Sequence, residues 1–178
     1  MDWNDKEQVR EYHRAYRAKR RLPRLIEAEN QRQLLYKSLW HLSSVELAYI
    51  AGLLDGEGCI TIVLGHHKRH RVNWSTEYSL HVSISNQHIP TLKYLQTTTN
   101  LGSIQRSRSK DYKWCLSSQQ ASELLKYLHP YLRIKLNQAD VAIKFQSLLS
   151  IWTHKTLTDN QRQQRKELKQ EIMRLNHL

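Results

Sequence analysis

Cysteine is nearly absent: the 178 residues hold only Cys59 and Cys115, which excludes a disulfide framework and a four-ligand thiolate zinc site. Acidic side chains are also few, 16 Asp plus Glu against 28 Lys plus Arg. No apolar run approaches the roughly 18 to 20 residues that a membrane helix needs, and Met1-Asp2-Trp3-Asn4-Asp5 lacks a signal-peptide core. There is no internal repeat. What is present is a chain that is 39% hydrophobic with five Trp and nine Tyr, too apolar for a disordered basic tail. These features predict a soluble, intracellular, globular protein with no membrane partner, with room for one domain of ordinary size plus flanking helices.

The net charge of +12 points to a polyanion, because a basic surface gains most by displacing counterions from phosphates. From Leu64 to Lys135 the only acids are Glu77, Asp111 and Glu123, against eleven Lys or Arg. That stretch is the expected face toward phosphate. Lys19-Arg20-Arg21 is a further basic patch within an N-terminal helical extension, residues 1–41.

The patterning predicts an α+β chain. A polar helix runs from about Lys6 to Arg21, is interrupted at Pro23, and resumes from Arg24 to Leu39. Ser43-Ser44-Val45-Glu46 has capping-box spacing before the apolar run Leu47 to Leu54, with Asp55-Gly56 supplying a stop. The period then changes to two. Ile60, Ile62 and Leu64 alternate with Cys59, Thr61 and Val63, and Tyr78, Leu80, Val82 and Ile84 alternate with Glu77, Ser79, His81, Ser83 and Ser85. Gly65 to Asn73 reads as a basic hairpin loop. A short helix (Pro90–Leu101), a second hairpin (Gly102–Arg108 and Asp111–Leu116) and helices at Gln119–Leu128 and Gln138–Trp152 complete a core spanning 42–152. The remainder, 153–178, reads as a charged helix capped by Thr158.

The segment Ile50-Ala51-Gly52-Leu53-Leu54-Asp55-Gly56-Glu57-Gly58 carries the chemistry. Ala48 and Gly52 lie one helical turn apart, as do Ala51 and Asp55, so bulk is stripped from one face and two such helices can approach closely. Glu57 is left at the helix foot beside the Gly56 carbonyl, a hard-oxygen pair suited to Mg²⁺. This segment resembles the motif that names the LAGLIDADG homing endonucleases, and the resemblance extends from about Leu42 to Trp152 through Leu80 to Asn86 and Leu128 to Lys135.

The resemblance implies a twisted antiparallel DNA-binding sheet on an αββαββα core, with Mg²⁺ (Mn²⁺ substituting) held at Glu57 and Gly56. It implies that Asn86, with Gln87 as a neighbouring alternative, orders water near the metals, and that Lys135 is a basic member of the same network. Staggered cleavage across the minor groove, leaving 3′ overhangs, is implied as well. Two metals suit phosphodiester hydrolysis because both the attacking and leaving oxygens need charge stabilisation. A single Glu57 is a poor cage for them, so a homodimer meeting at Ala48, Ala51, Gly52 and Asp55 is expected, on a long pseudo-palindromic duplex.

Eleven residues from Ser75 to Ser85 span about 36 Å at roughly 3.3 Å each, close to the ~34–36 Å of one DNA turn. The face expected to read base edges holds Thr61, Val63, Glu77, Ser79, His81, Ser83, Ser103, Gln105, Ser107, Asp111 and Lys113. Lys68, Arg69, Arg71, Arg106 and Arg108 are expected phosphate contacts. The same scaffold would also suit an RNA maturase binding intron RNA in group I splicing, or a non-cleaving regulator of transcription. His66-His67 with His70 has no Cys or acid at metal-site spacing and suits a DNA-facing loop better. No Gly-x-Ser-x-Gly nucleophile elbow occurs.

Overall fold

The computed structural model describes residues 5–69, 73–106, 111–151 and 158–177, which divide into two compact units, Met1–Lys37 and Ser38–Leu178.

The first unit holds all but the last three residues of α1 (Lys6–Trp40), a 35-residue helix. Asp5 caps it, its Oδ1 accepting the Glu7 N–H at 2.9 Å and its carbonyl the Val9 N–H at 3.1 Å. The expected break at Pro23 does not occur, since the helix runs through it. Proline removes one backbone bond and crowds one turn, at a cost of about 3 kcal/mol. The flanking stretches, rich in Arg, Lys, Glu, Gln, Leu and Ala, are strong helix formers on both sides.

The second unit opens with α2 (Ser44–Glu57). The predicted capping box is formed: Ser43 Oγ accepts the Glu46 N–H at 3.3 Å, and Glu46 Oε2 accepts the Ser43 N–H at 2.8 Å. The Ser43 contacts also push the Glu46 carboxyl below its ordinary pKa. The stop falls two residues beyond the expected Asp55-Gly56, with Gly56 helical and Gly58 as the C-cap, its N–H reaching the Leu54 carbonyl. A Cβ at Gly58 would collide with the Leu54 carbonyl oxygen and side chain, so this close turn from helix into strand requires glycine.

Strands β1 (Gly58–Arg69), β2 (Asn73–Asn86), β3 (Ser103–Arg106) and β4 (Tyr112–Ser117) form one antiparallel sheet ordered β1-β2-β4-β3. The first hairpin is longer than the sequence suggested. Gly65 to Arg69 pair in register with Glu77 to Asn73, so Lys68 and Arg69 occupy strand positions instead of a loop. Backbone pairing of the two strands continues through this basic stretch. Arg71, Ser107 and Arg108 lie outside the described residues.

Helices α3 (Ile89–Thr99), α4 (Ser118–Leu128), α5 (Leu136–Ile151) and α6 (Asp159–Leu175) complete the unit, with one 3-10 turn at His129–Tyr131. Of the predicted inward phase, Ile60, Ile62, Leu80, Val82, Ile84, Trp114 and Leu116 are buried, as are Ile50, Leu54, Leu92, Leu124, Leu125 and Phe145 of the helices, while Leu64 and Tyr78 are half-buried. Thr158 caps α6 as expected, through Gln161. That helix contributes buried Leu168 and Ile172 to the core, and Asn176 Nδ2 donates to the Ile60 carbonyl at 2.9 Å. Gly102 sits at φ +71°, where a Cβ would collide with the Cys115 carbonyl and the Trp114 indole nitrogen, and that indole N–H donates to the Leu101 carbonyl at 2.9 Å. No helix among the described residues is long and apolar enough to cross a membrane.

Candidate active site and nucleic-acid interface

The helix-to-strand turn at Gly58 leaves Glu57 exposed at the foot of α2. Asn86, the last residue of β2, donates from Nδ2 to Glu57 Oε2 at 2.6 Å. Its Oδ1 accepts the His88 N–H at 2.7 Å, and the His88 ring meets Thr91 Oγ1 at 2.8 Å. Both ends of the Asn86 amide therefore have protein partners. An open depression of about 410 Å³ lies beside this pair, lined by Glu57, Ser85, Asn86, Gln87 and Asp111. Asp111 was expected among residues reading base edges, and the structure adds it to the recess that holds Glu57. Its place just ahead of β4 gives no sequence cue to this, because the closeness depends on Tyr112 pairing with Asn86.

Asp55, two residues before Glu57, is buried. Its Oδ2 accepts the Arg133 N–H at 2.7 Å and its Oδ1 the Lys135 N–H at 2.9 Å, while Lys135 Nζ donates to the Asp55 carbonyl at 2.5 Å. Lys135 directly precedes α5, and its carbonyl accepts the Ala139 N–H at 3.0 Å. A carboxylate placed at that helix start also complements the helix dipole. One end of α2 thus carries Glu57 and receives Lys135.

The four residues expected at a helix–helix contact divide between two faces. Ala51 and Asp55 face the interior of the chain. Ala48 and Gly52 are exposed, joined by Gly56, and a Cβ at either glycine would meet nothing within 4 Å. Around them Val45 is 76% and Tyr49 47% exposed. A helix apolar on all sides is normally enclosed, yet this side of α2 is open within the chain.

Pairing across the sheet lines up the face opposite the core in rows. Thr61 lies beside His81 and Ser117; Val63 beside Ser79; Cys59 beside Ser83, Cys115 and Ser103; and Ser85 beside Lys113 and Gln105. Cys59 and Ser85 share this face as their alternation predicts, and the cross-strand register adds Cys115 and Ser117 to it. Ser79 Oγ and His81 Nε2 are 3.0 Å apart, and burial holds the His81 imidazole below its ordinary pKa, so it presents a neutral ring at pH 7. Burial pushes the Cys115 thiol up, with Lys113 opposing, which makes it a poor nucleophile. Arg106 is exposed at the far end of β3.

No described cluster brings together three or more His, Cys, Asp or Glu side chains for a metal ion. What one chain offers is hard oxygen: the exposed Glu57 carboxylate and the neighbouring Gly56 carbonyl. That donor chemistry fits Mg²⁺ or Mn²⁺ but is incomplete alone.

Residues 50–143 match the model of the LAGLIDADG endonuclease family. Comparison with curated sequences gives no match. Among solved structures, the homing endonuclease I-CvuI, in complex with the I-CreI target, is 17% identical with a TM-score of 0.63, covering 74% of this chain and 82% of that one. The archaeal intron-encoded I-Vdi141I bound to DNA is 17% identical with a TM-score of 0.62, covering 74% and 84%. I-TnaI is 16% identical with a TM-score of 0.61, covering 74% and 93%. These likenesses carry the fold; the family match carries the chemistry, which in LAGLIDADG nucleases depends on a divalent metal. The chain belongs to the LAGLIDADG homing endonuclease family and is a DNA phosphodiester hydrolase.

Proposed function

We propose that two copies of this chain pair through the open side of α2 and make a Mg²⁺-dependent staggered double-strand cut in a long, pseudo-palindromic DNA target. The observation that carries this reading is the junction of two features on one helix. A bare strip at Ala48, Gly52 and Gly56 admits a second backbone, and it ends at an exposed Glu57. Two-fold pairing would bring one Glu57 from each chain to a shared centre, so that two equivalent carboxylates meet on the axis.

Glu57 and the Gly56 carbonyl would hold Mg²⁺, with Mn²⁺ able to substitute, and the bound ion would stabilise charge on the scissile phosphate. The role of Asn86 follows from its contacts: its amide holds the Glu57 carboxylate in one orientation and leaves Oε1, which has no partner among the described residues, directed to ligand. Gln87, exposed in the same recess, takes the role of ordering water that the resemblance offered to either residue. Lys135 places a cation at the end of α2 where phosphate charge develops. Thr61, Val63, Ser79, His81, Ser83, Ser103, Gln105 and Lys113 read the major groove, with Lys68, Arg69 and Arg106 toward phosphate.

The test is incubation with a target duplex selected from a random library, in Mg²⁺, in Ca²⁺ and in chelator. The expected result is hydrolysis only with Mg²⁺, abolished in Glu57→Gln while binding persists. Tight binding of intron RNA with no nicking of any duplex would instead assign the maturase role.

A further inference from the structure

The family match begins at residue 50, and α1 lies wholly ahead of it. The three consecutive cations Lys19-Arg20-Arg21 look like the basic patch of this segment, but on a helix neighbours point about 100° apart, so that run makes no common surface. A different set does. Lys6, Arg10, Arg14, Arg17, Arg21 and Arg24 follow one another at spacings of four, four, three, four and three. At 3.6 residues per turn these positions fall within a strip about 80° wide and about 27 Å long. Lys6, Arg10 and Arg14 are exposed.

We propose that residues 6–24 of α1 are a second DNA-binding surface, separate from the sheet, whose basic row lies along one phosphate strand of duplex DNA. This rests on the chain acting on DNA. Three observations favour that occupant. Five of the six row positions are Arg, whose planar fork suits phosphate oxygens. Glu7 and Glu11, both exposed, flank one edge of the row, so a helix sunk between two phosphate walls would press acids against one of them, whereas a helix along a single strand would not. Single-stranded RNA would need aromatic rings interleaved with the cations. Tyr12 and Tyr16 instead stack on each other, with centroids 6.1 Å apart and planes 19° apart, at helical positions opposite the row.

The test is binding of the full-length protein to a random-sequence duplex in metal-free buffer, over a series of salt concentrations. Arg10→Gln/Arg14→Gln should lower the slope of log K against log salt by about 1.8, two contacts at roughly 0.9 each. The charge-matched Lys19→Gln/Lys37→Gln, on the opposite side by spacing, should leave the slope unchanged. Circular dichroism checks that α1 is intact in both. Equal losses from the two pairs, or no loss from the first, would overturn the proposal. So would tighter binding to a hairpin or single-stranded RNA that depends on Arg10 and Arg14. The measurement involves neither metal nor cleavage, so a failure of the cleavage reading would leave it untouched.

Discussion

Asn86 Nδ2 and Glu57 Oε2, 2.6 Å apart, tie the end of β2 to the end of α2. The His88 N–H fixes Asn86 Oδ1, so the amide can present only its NH₂ to the carboxylate. A rigid donor of this kind sets the direction in which Glu57 offers its remaining lone pairs, which is the work it would do behind the proposed metal-binding carboxylate.

Asn86→Ala should lower the cleavage rate about 10- to 100-fold, the range for losing an orienting partner of a metal ligand, with duplex affinity unchanged. Asn86→Asp should cost more, since a second carboxylate would face Glu57. Single-turnover cleavage beside a binding titration separates the two effects. An equal fall in binding and cleavage would mean that Asn86 contacts DNA directly.

Asp55→Ala removes the acceptor of two backbone N–H groups, at Arg133 and Lys135. The expected cost is about 2–3 kcal/mol of stability, a fall of roughly 5–10 °C in melting temperature for a chain this size. Asp55→Asn should cost less, because one acceptor oxygen remains. Calorimetry of the two variants provides the check.

This link was illegible in the sequence because it joins positions about eighty residues apart through backbone groups, which no side-chain pattern announces. What could be read were local devices: the Ser43–Glu46 capping box, the two-residue alternation from Tyr78 to Ile84, and Thr158 ahead of α6. The motif itself marked Glu57. Pro23 misled because the cost of one proline is small against the helix propensity on both sides, and Gly56 because a glycine can sit within a helix when the crowded turn comes later, at Gly58. The bare strip on α2 was visible as Ala48 and Gly52. Its other expected members, Ala51 and Asp55, proved to face inward, a distinction that the crossing of α2 over the sheet decides.

His81 gives a pH dependence. Burial lowers its pKa in the folded chain, so on acidification from about pH 6.5, the ordinary histidine value, the unfolded chain takes up a proton before the folded one. Its contribution to stability therefore falls as pH drops through that range and is flat above it. His81→Gln should remove this component from urea denaturation midpoints measured between pH 7.5 and about 5.5, and the His81 imidazole should titrate below 6.5 in NMR spectra of the free protein. A midpoint above 6.5 would contradict the burial seen here.

In the proposed dimer two chains meet at the bare strip of α2, and Gly52→Leu tests that contact most directly. Within one chain a side chain at Gly52 meets nothing within 4 Å, and replacing a helical glycine should add up to about 1 kcal/mol of helix stability. Sedimentation of wild type and variant, each with and without target duplex, is the deciding measurement. The expected result is a wild type of twice the 21.2 kDa chain mass and a folded Gly52→Leu monomer that cannot cut. A variant that remains dimeric and active, or a wild type that binds and cleaves its target as a single chain, would contradict it.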